Sequence, residues 1–145
     1  MFQVIPDAVS GQTVRHLTPD ATAFDAARMM LEFDISAVVV LVEDRLVGLV
    51  TERDLARRVV GEGRAARETA RSEVMTPEPD TIAPDGATRE ALEKMRLGKY
   101  RHLPIVEAGR VVGMVSIRDL RHAIARDRQQ VRGAGPGALW RRLFT

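Results

Sequence analysis

Gly48-Leu49-Val50-Thr51-Glu52-Arg53-Asp54-Leu55 returns 65 positions later as Gly113-Met114-Val115-Ser116-Ile117-Arg118-Asp119-Leu120. The match runs without a gap back to Pro19-Asp20 over Pro84-Asp85. Of those 37 aligned positions, 11 are identical: Pro19, Asp20, Ala26, Met30, Arg45, Val47, Gly48, Val50, Arg53, Asp54 and Leu55 with their counterparts. Unrelated segments of average composition would share roughly two to four. The chain is therefore two copies of one unit, and a polar motif placed twice where such units meet suggests a binding site.

Each copy reads as β-α-β-β-α. In the first, Thr13 to Leu17 is a short strand and Pro19-Asp20 opens a helix, with Asp20 as its expected cap. Ala23, Ala26, Ala27, Met30 and Leu31 recur at helical spacing and are expected inward. Ala37–Val42 and Leu46–Val50 are β-branched runs flanking Glu43-Asp44-Arg45, the signature of a hairpin. A second helix starts near Thr51. The second copy repeats the order: a strand at Asp80 to Ala83, a helix with Ala87, Ala91, Leu92 and Met95 inward, strands at His102–Val106 and Val111–Val115, and a helix from Ser116.

The 145 residues, 45% hydrophobic, suffice for one core that buries about two thirds of the unfolded surface. With 22 basic and 20 acidic side chains the net charge is only +2, so nucleic-acid binding is the weakest of the functional alternatives. Cysteine is absent, which excludes disulfides and thiolate chemistry. No uncharged stretch reaches the roughly 18 residues that cross a bilayer, and Met1–Asp7 has no basic-then-apolar leader pattern. A soluble cytoplasmic protein with no membrane contact is expected. His16, His102 and His122 have no metal-ligand spacing, and no nucleophile elbow, Walker loop or dinucleotide fingerprint occurs, so no enzyme activity is expected. Arg57, Arg58, Arg64, Arg67 and Arg71 read as a loose solvated series. After Arg132, Gly133–Gly137 breaks the helix and an apolar, basic tail containing Trp140 follows.

Thr51-Glu52-Arg53-Asp54 and Ser116-Ile117-Arg118-Asp119 each put a hydroxyl three residues before a carboxylate at a strand-to-helix junction. That spacing is a capping box, worth on the order of 1 kcal/mol and requiring no ligand. It also suits a ribose phosphate: a helix N-terminus, a hydroxyl and Arg53 or Arg118 favour phosphate, while Asp54 or Asp119 accepts from a sugar diol. Gly48 or Gly113 is expected to leave room for close approach. Both readings stand at this point.

Two β-α-β-β-α units, each carrying Gly-x-x-(Ser/Thr)-x-x-Asp, resemble a tandem pair of CBS domains, the module named after cystathionine β-synthase. Val74-Met75-Thr76-Pro77, Thr81-Ile82-Ala83-Pro84-Asp85 and His102-Leu103-Pro104-Ile105-Val106 also match that family's pattern. The resemblance implies an α/β fold of two repeats packed with pseudo-twofold symmetry. Repeat 1 is expected at residues 5–62, a connector at 63–72, repeat 2 at 73–127 and a tail at 128–145.

It further implies an energy-sensing regulatory module that binds AMP, ADP, ATP or S-adenosylmethionine in clefts between the repeats, with or without magnesium. Such a module assembles as a homodimer and signals to a protein target by conformational change. By position, Thr51 and Ser116 would meet phosphate, Asp54 and Asp119 the ribose, and Arg53 and Arg118 would lie near the phosphates. Ser36, Tyr100, Arg101, His102 and Pro104 would line base pockets, with Thr81 and Ile82 closing one. The first unit departs from the pattern, with Val9-Ser10-Gly11-Gln12 for the Val-Met-Thr-Pro opening and Val39 where the second has Pro104. The alternative function is a structural dimerisation or protein-interaction module whose motifs only cap helices.

Overall fold

The structure is a computed structural model that describes residues 13–132. The expectations for Met1–Gln12 and for the tail with Trp140 fall outside the described residues. The rest divides into two compact units, Thr13–Asp80 with Glu107–Val112, and Thr81–Val106 with the residues from Gly113 on.

The first unit is built on a four-stranded sheet in the order β1-β2-β3-β4. Strand β1 is His16–Leu17, β2 is Ala37–Val42, β3 is Arg45–Thr51 and β4 is Thr76–Pro77. β2 lies parallel to β1 and antiparallel to β3. As an inner strand, with Ala37 to Val40 buried on both faces, it reads as an unbroken apolar run. Glu43 and Asp44 both take positive φ, 51° and 64°, the geometry of a two-residue turn whose twist suits a hairpin. β4 covers the outer edge of β3, with Pro77 opposite Gly48 at a position where its missing N–H costs little.

Helix α1, Ala23–Phe33, packs Ala23, Ala26 and Met30 onto this sheet. Its cap is Thr22, whose hydroxyl accepts from Asp25 N–H at 3.2 Å, while Asp25 Oδ2 accepts from Thr22 N–H at 2.8 Å. Asp20 is not the cap, because Pro19-Asp20 stays in the preceding turn, where Asp20 accepts from the Thr18 hydroxyl at 2.8 Å. Ala27 and Leu31 are also corrected: the buried stripe is narrower than expected, and Leu31 is 71% exposed.

Helix α2, Glu52–Leu55, runs into a π-turn at Ala56–Val60, where Gly61 N–H reaches back five residues to Ala56 O at 2.8 Å. After a 3₁₀ turn at Ala66–Glu68 comes α3, Arg71–Val74. Val74 lies in the first unit's core, so Val74–Pro77, the stretch that matches the opening of the second repeat, is physically joined to the first unit.

The arginine series is corrected at two of its five positions, Arg58 and Arg71. Arg71 is 8% exposed and donates to Leu17 O and Leu41 O, both at 3.3 Å. Arg58 donates to Val74 O at 3.2 Å and Met75 O at 2.7 Å. Arg67 lies over the Phe24 ring, and Arg64 pairs with Glu62. Arg58 and Arg71 thus fasten the chain, whereas Arg57, Arg64 and Arg67 are exposed, as the solvated reading expects.

The second sequence copy repeats the plan, with Glu107–Val112 of its hairpin grouped in the first unit. Helix α4, Thr88–Gly98, buries Thr88, Ala91 and Met95; β5, His102–Glu107, and β6, Arg110–Ser116, form a hairpin; α5 is Ile117–Arg132. The hairpin turn at Ala108-Gly109 again has two positive φ values, 50° and 78°. The strand expected at Asp80 to Ala83 shrinks to one parallel bridge, Ile82 to Ile105. In the first unit Leu17 pairs with Val40, so the bridge sits at the same 65-residue offset as the sequence repeat. Leu103, Ile105, Val115 and Leu120 form its core with Ile82, Ala91 and Met95.

Candidate functional site

Both copies of the motif sit where a hairpin strand ends and a helix begins, and both close as capping boxes. Thr51 N–H and Oγ1 donate to Asp54 Oδ2 at 2.9 and 3.0 Å, and Asp54 N–H donates to Thr51 Oγ1 at 3.2 Å. Ser116 N–H donates to Asp119 Oδ2 at 2.9 Å, and Asp119 N–H donates to Ser116 Oγ at 3.1 Å. In each box the carboxylate is engaged through Oδ2, leaving Oδ1 outside it. Asp54 and Asp119 are half-buried, whereas Arg53 and Arg118 are exposed. Each helix start thus combines a fixed hydroxyl, a half-engaged carboxylate and a guanidinium that reaches water.

One backbone bond in each unit brings a second segment to this point. Glu52 N–H donates to Ser36 O at 3.0 Å, and Ile117 N–H donates to Arg101 O at 2.8 Å, again 65 residues apart. Ser36 therefore joins Thr51, Arg53 and Asp54; Tyr100, Arg101 and His102 join Ser116, Arg118 and Asp119. Burial holds the His102 imidazole below its usual range, with the Asp119 carboxylate opposing and Arg101 adding to the effect.

Tyr100 is half-buried against the second core, and a Cβ on Gly98 would run into its ring, so Gly98 is what lets the ring lie there. Ile82 and Pro104 are packed in the interior: Ile82 is 2% exposed, and Pro104 is fully buried with its carbonyl taking Ile82 N–H at 3.0 Å. Thr81 is half-buried and its carbonyl accepts from Lys94 Nζ at 2.7 Å.

Two residues that the sequence did not single out matter here. Lys94, which also pairs with Glu90 at 3.4 Å, pins the Thr81 backbone, and the i,i+4 spacing of Glu90 and Lys94 was its only signal. Met75 fills the space over Gly48, against the expectation that a ligand would approach the backbone there: a Cβ on Gly48 would collide with the Met75 side chain. Nothing in the local sequence links these two positions. Among the described residues no cluster of His, Cys, Asp and Glu is arranged to hold a metal ion. Nor, among the described residues, is any helix long and apolar enough to cross a membrane.

The family model for the CBS domain matches residues 9–61 and 70–126. The CBS domain-containing protein CBSCBSPB1 of Arabidopsis thaliana is 37% identical over 121 residues, 83% of this chain. The chain spans only 18% and 22% of the length of two such Arabidopsis relatives. The CBS domain-containing protein YhcV of Bacillus subtilis is 33% identical over 116 residues, 80% of this chain and 81% of that protein. Among solved structures, a CBS-domain protein of Burkholderia ambifaria superposes with a TM-score of 0.79 at 34% identity, covering 86% of this chain and 93% of the other. A CBS domain protein of Pyrobaculum aerophilum complexed with AMP superposes with a TM-score of 0.72 at 25% identity, covering 79% and 88%. The duplicated β-α-β-β-α unit, its motif at each second helix and these matches together place the chain in the CBS domain family, as a tandem pair.

Proposed function

We propose that this CBS pair is a non-enzymatic regulatory module that binds an adenosyl ligand, of the class of AMP, ADP, ATP or S-adenosylmethionine, and passes the event to a protein partner by a change of conformation. The observation that carries the reading is the box beside the exposed Arg118: Ser116 N–H donates to Asp119 Oδ2 and Asp119 N–H to Ser116 Oγ, so the box engages the carboxylate through one oxygen. A second carboxylate oxygen can then accept from a ribose diol while the guanidinium meets phosphate. The AMP complex of the Pyrobaculum relative supports the ligand class. Magnesium would accompany only the polyphosphate ligands. For binding to regulate, the ligand must favour one conformation over another, since equal affinity shifts nothing. The working form in this reading is a cytoplasmic homodimer.

One observation favours a second reading, a dimerisation or protein-interaction module without ligand. Thr22 and Asp25 make the same reciprocal box at the start of α1, outside either motif copy. That box is also the control. Titration calorimetry of the whole nucleotide-stripped chain with AMP, ATP and S-adenosylmethionine is compared across wild type, Asp25→Ala and Asp119→Ala. Each variant is expected to lose about 1 kcal/mol of stability from its cap, and only Asp119→Ala is expected to lose ligand. Absence of saturable binding, or binding indifferent to Asp119, would leave the module reading standing.

A further inference from the structure

The two motif sites share a backbone and differ in charge. Asp34 ends α1 in the left-handed conformation at φ 51°, and Lys99 ends α4 in the same way at φ 56°; their N–H groups donate to Met30 O and Met95 O. From these caps the chain runs two residues to Ser36 or Arg101, whose carbonyl takes the N–H of the first residue of the motif helix. Loop and helix start are therefore tied together alike in each unit, and residues 65 apart stand in equivalent places.

The side chains on this shared frame reverse sign. Around the first motif, residues 34–37 and 51–54 carry Asp34, Glu52, Asp54 and one cation, Arg53, for a net −2. Around the second, residues 99–102 and 116–119 carry Lys99, Arg101, Arg118 and one anion, Asp119, for a net +2 with His102 neutral. Glu52 opens the first helix where Ile117 opens the second, so a carboxylate stands where a phosphate would seek the helix start. Asp34, Glu52, Lys99, Arg101 and Arg118 are all exposed, so their fields reach an incoming solute.

We infer that the two sites are specialised by charge: the second, at Ser116–Asp119, takes a phosphorylated adenosine, and the first, at Thr51–Asp54, refuses phosphate and takes an uncharged or cationic adenosyl compound. This rests on the adenosyl reading above and adds which site takes which class. With four units of charge between the frames, a dianionic phosphate is expected to prefer the second on the order of a hundredfold at low salt, and less as salt screens it.

AMP and adenosine, which differ only by the phosphate, are the probes. The whole nucleotide-stripped chain is titrated with each at low and high salt, in wild type and in Asp54→Ala, Asp119→Ala, Lys99→Asp and the double variant Asp34→Lys/Glu52→Ile. Expected are one AMP per chain, lost in Asp119→Ala and kept in Asp54→Ala, and a second AMP site in the double variant. Lys99→Asp is expected to weaken AMP about tenfold at low salt, an effect that shrinks at high salt, with a much smaller change for adenosine. Lysine is already accommodated at the equivalent left-handed cap, so Asp34→Lys introduces no new backbone demand. Two equal AMP sites, AMP lost in Asp54→Ala instead, or equal weakening of AMP and adenosine in Lys99→Asp would each overturn the specialisation while leaving the adenosyl reading intact. If neither probe binds, the adenosyl reading fails and the specialisation with it.

Discussion

Replacing Arg71 by methionine should be among the most damaging single changes to a charged residue of this chain. The guanidinium is 8% exposed and supplies Leu17 O and Leu41 O with donors at 3.3 Å. Both carbonyls lie where regular pairing gives out: β1 ends at Leu17, and the β2-β3 register slips between Val40 and Leu41. Methionine keeps much of the length and removes both donors. Each stranded carbonyl costs about 1–3 kcal/mol, and relief from burying a cation returns part of it, so a net loss of about 2 kcal/mol is expected. For 145 residues that corresponds to a melting temperature lower by about 7 °C. Chemical and thermal denaturation of Arg71→Met are read beside Arg57→Met, an exposed position expected to stay within about 0.5 kcal/mol. If the two variants melt together, the clamp contributes nothing and the argument from Leu17 and Leu41 is wrong.

Other outcomes follow from single contacts. Gly48→Ala should cost about 1–3 kcal/mol by forcing its Cβ into Met75; in a double-mutant cycle with Met75→Ala, the pair should cost less than the sum, and strict additivity would refute the contact. Leu103→Ala, at a fully buried site, should lose about 3–5 kcal/mol in urea titration. Because burial holds the folded His102 imidazole below its usual range, the unfolded chain takes that proton more readily; stability is greatest above about pH 6.5 and falls as pH drops toward the folded value. His102→Gln should flatten that part of the stability–pH curve, and an unchanged slope would assign the loss to other groups.

Much of this fold was legible because its signals are local. Ala37–Val42 is an unbroken apolar run in which four of six residues are valine, and the strand occupies the same residues. Glu43-Asp44 carries no glycine, yet the apolar runs on either side left only a hairpin. The motif boxes were legible for the same reason, since Thr51 and Asp54 are one helical turn apart and need nothing else to find each other. What could not be read depends on distance along the chain. The seat of Arg71 is set by Leu17, 54 residues away, and the filling of the space over Gly48 by Met75 has no periodicity to betray it. Asp20 misled because Thr22, two residues on, is an equally good cap, and the turn at Pro19-Asp20 decided between them. The opposed charges of Asp34 and Lys99 were visible in the letters, but their equivalence needed the matching left-handed caps.

The π-turn at Ala56–Val60 holds one more residue than the α-turn it stands in for. It works as a phase shifter in the first unit's second helix: Thr51 to Asp54 are oriented by the hairpin that precedes them, while the wider turn holds Arg58 and Val59 back, by up to about 100°, from where a plain α-helix of the same residues would carry them. Excising Ala56 would restore an unbroken α-helix and leave Val59 and Arg58 close to their present faces, whereas straightening the turn with every residue kept would carry Val59 out of the core and Arg58 away from Val74 and Met75. The insertion thus lets the motif end and the anchoring end of one short helix drift separately in evolution, each obeying its own surroundings.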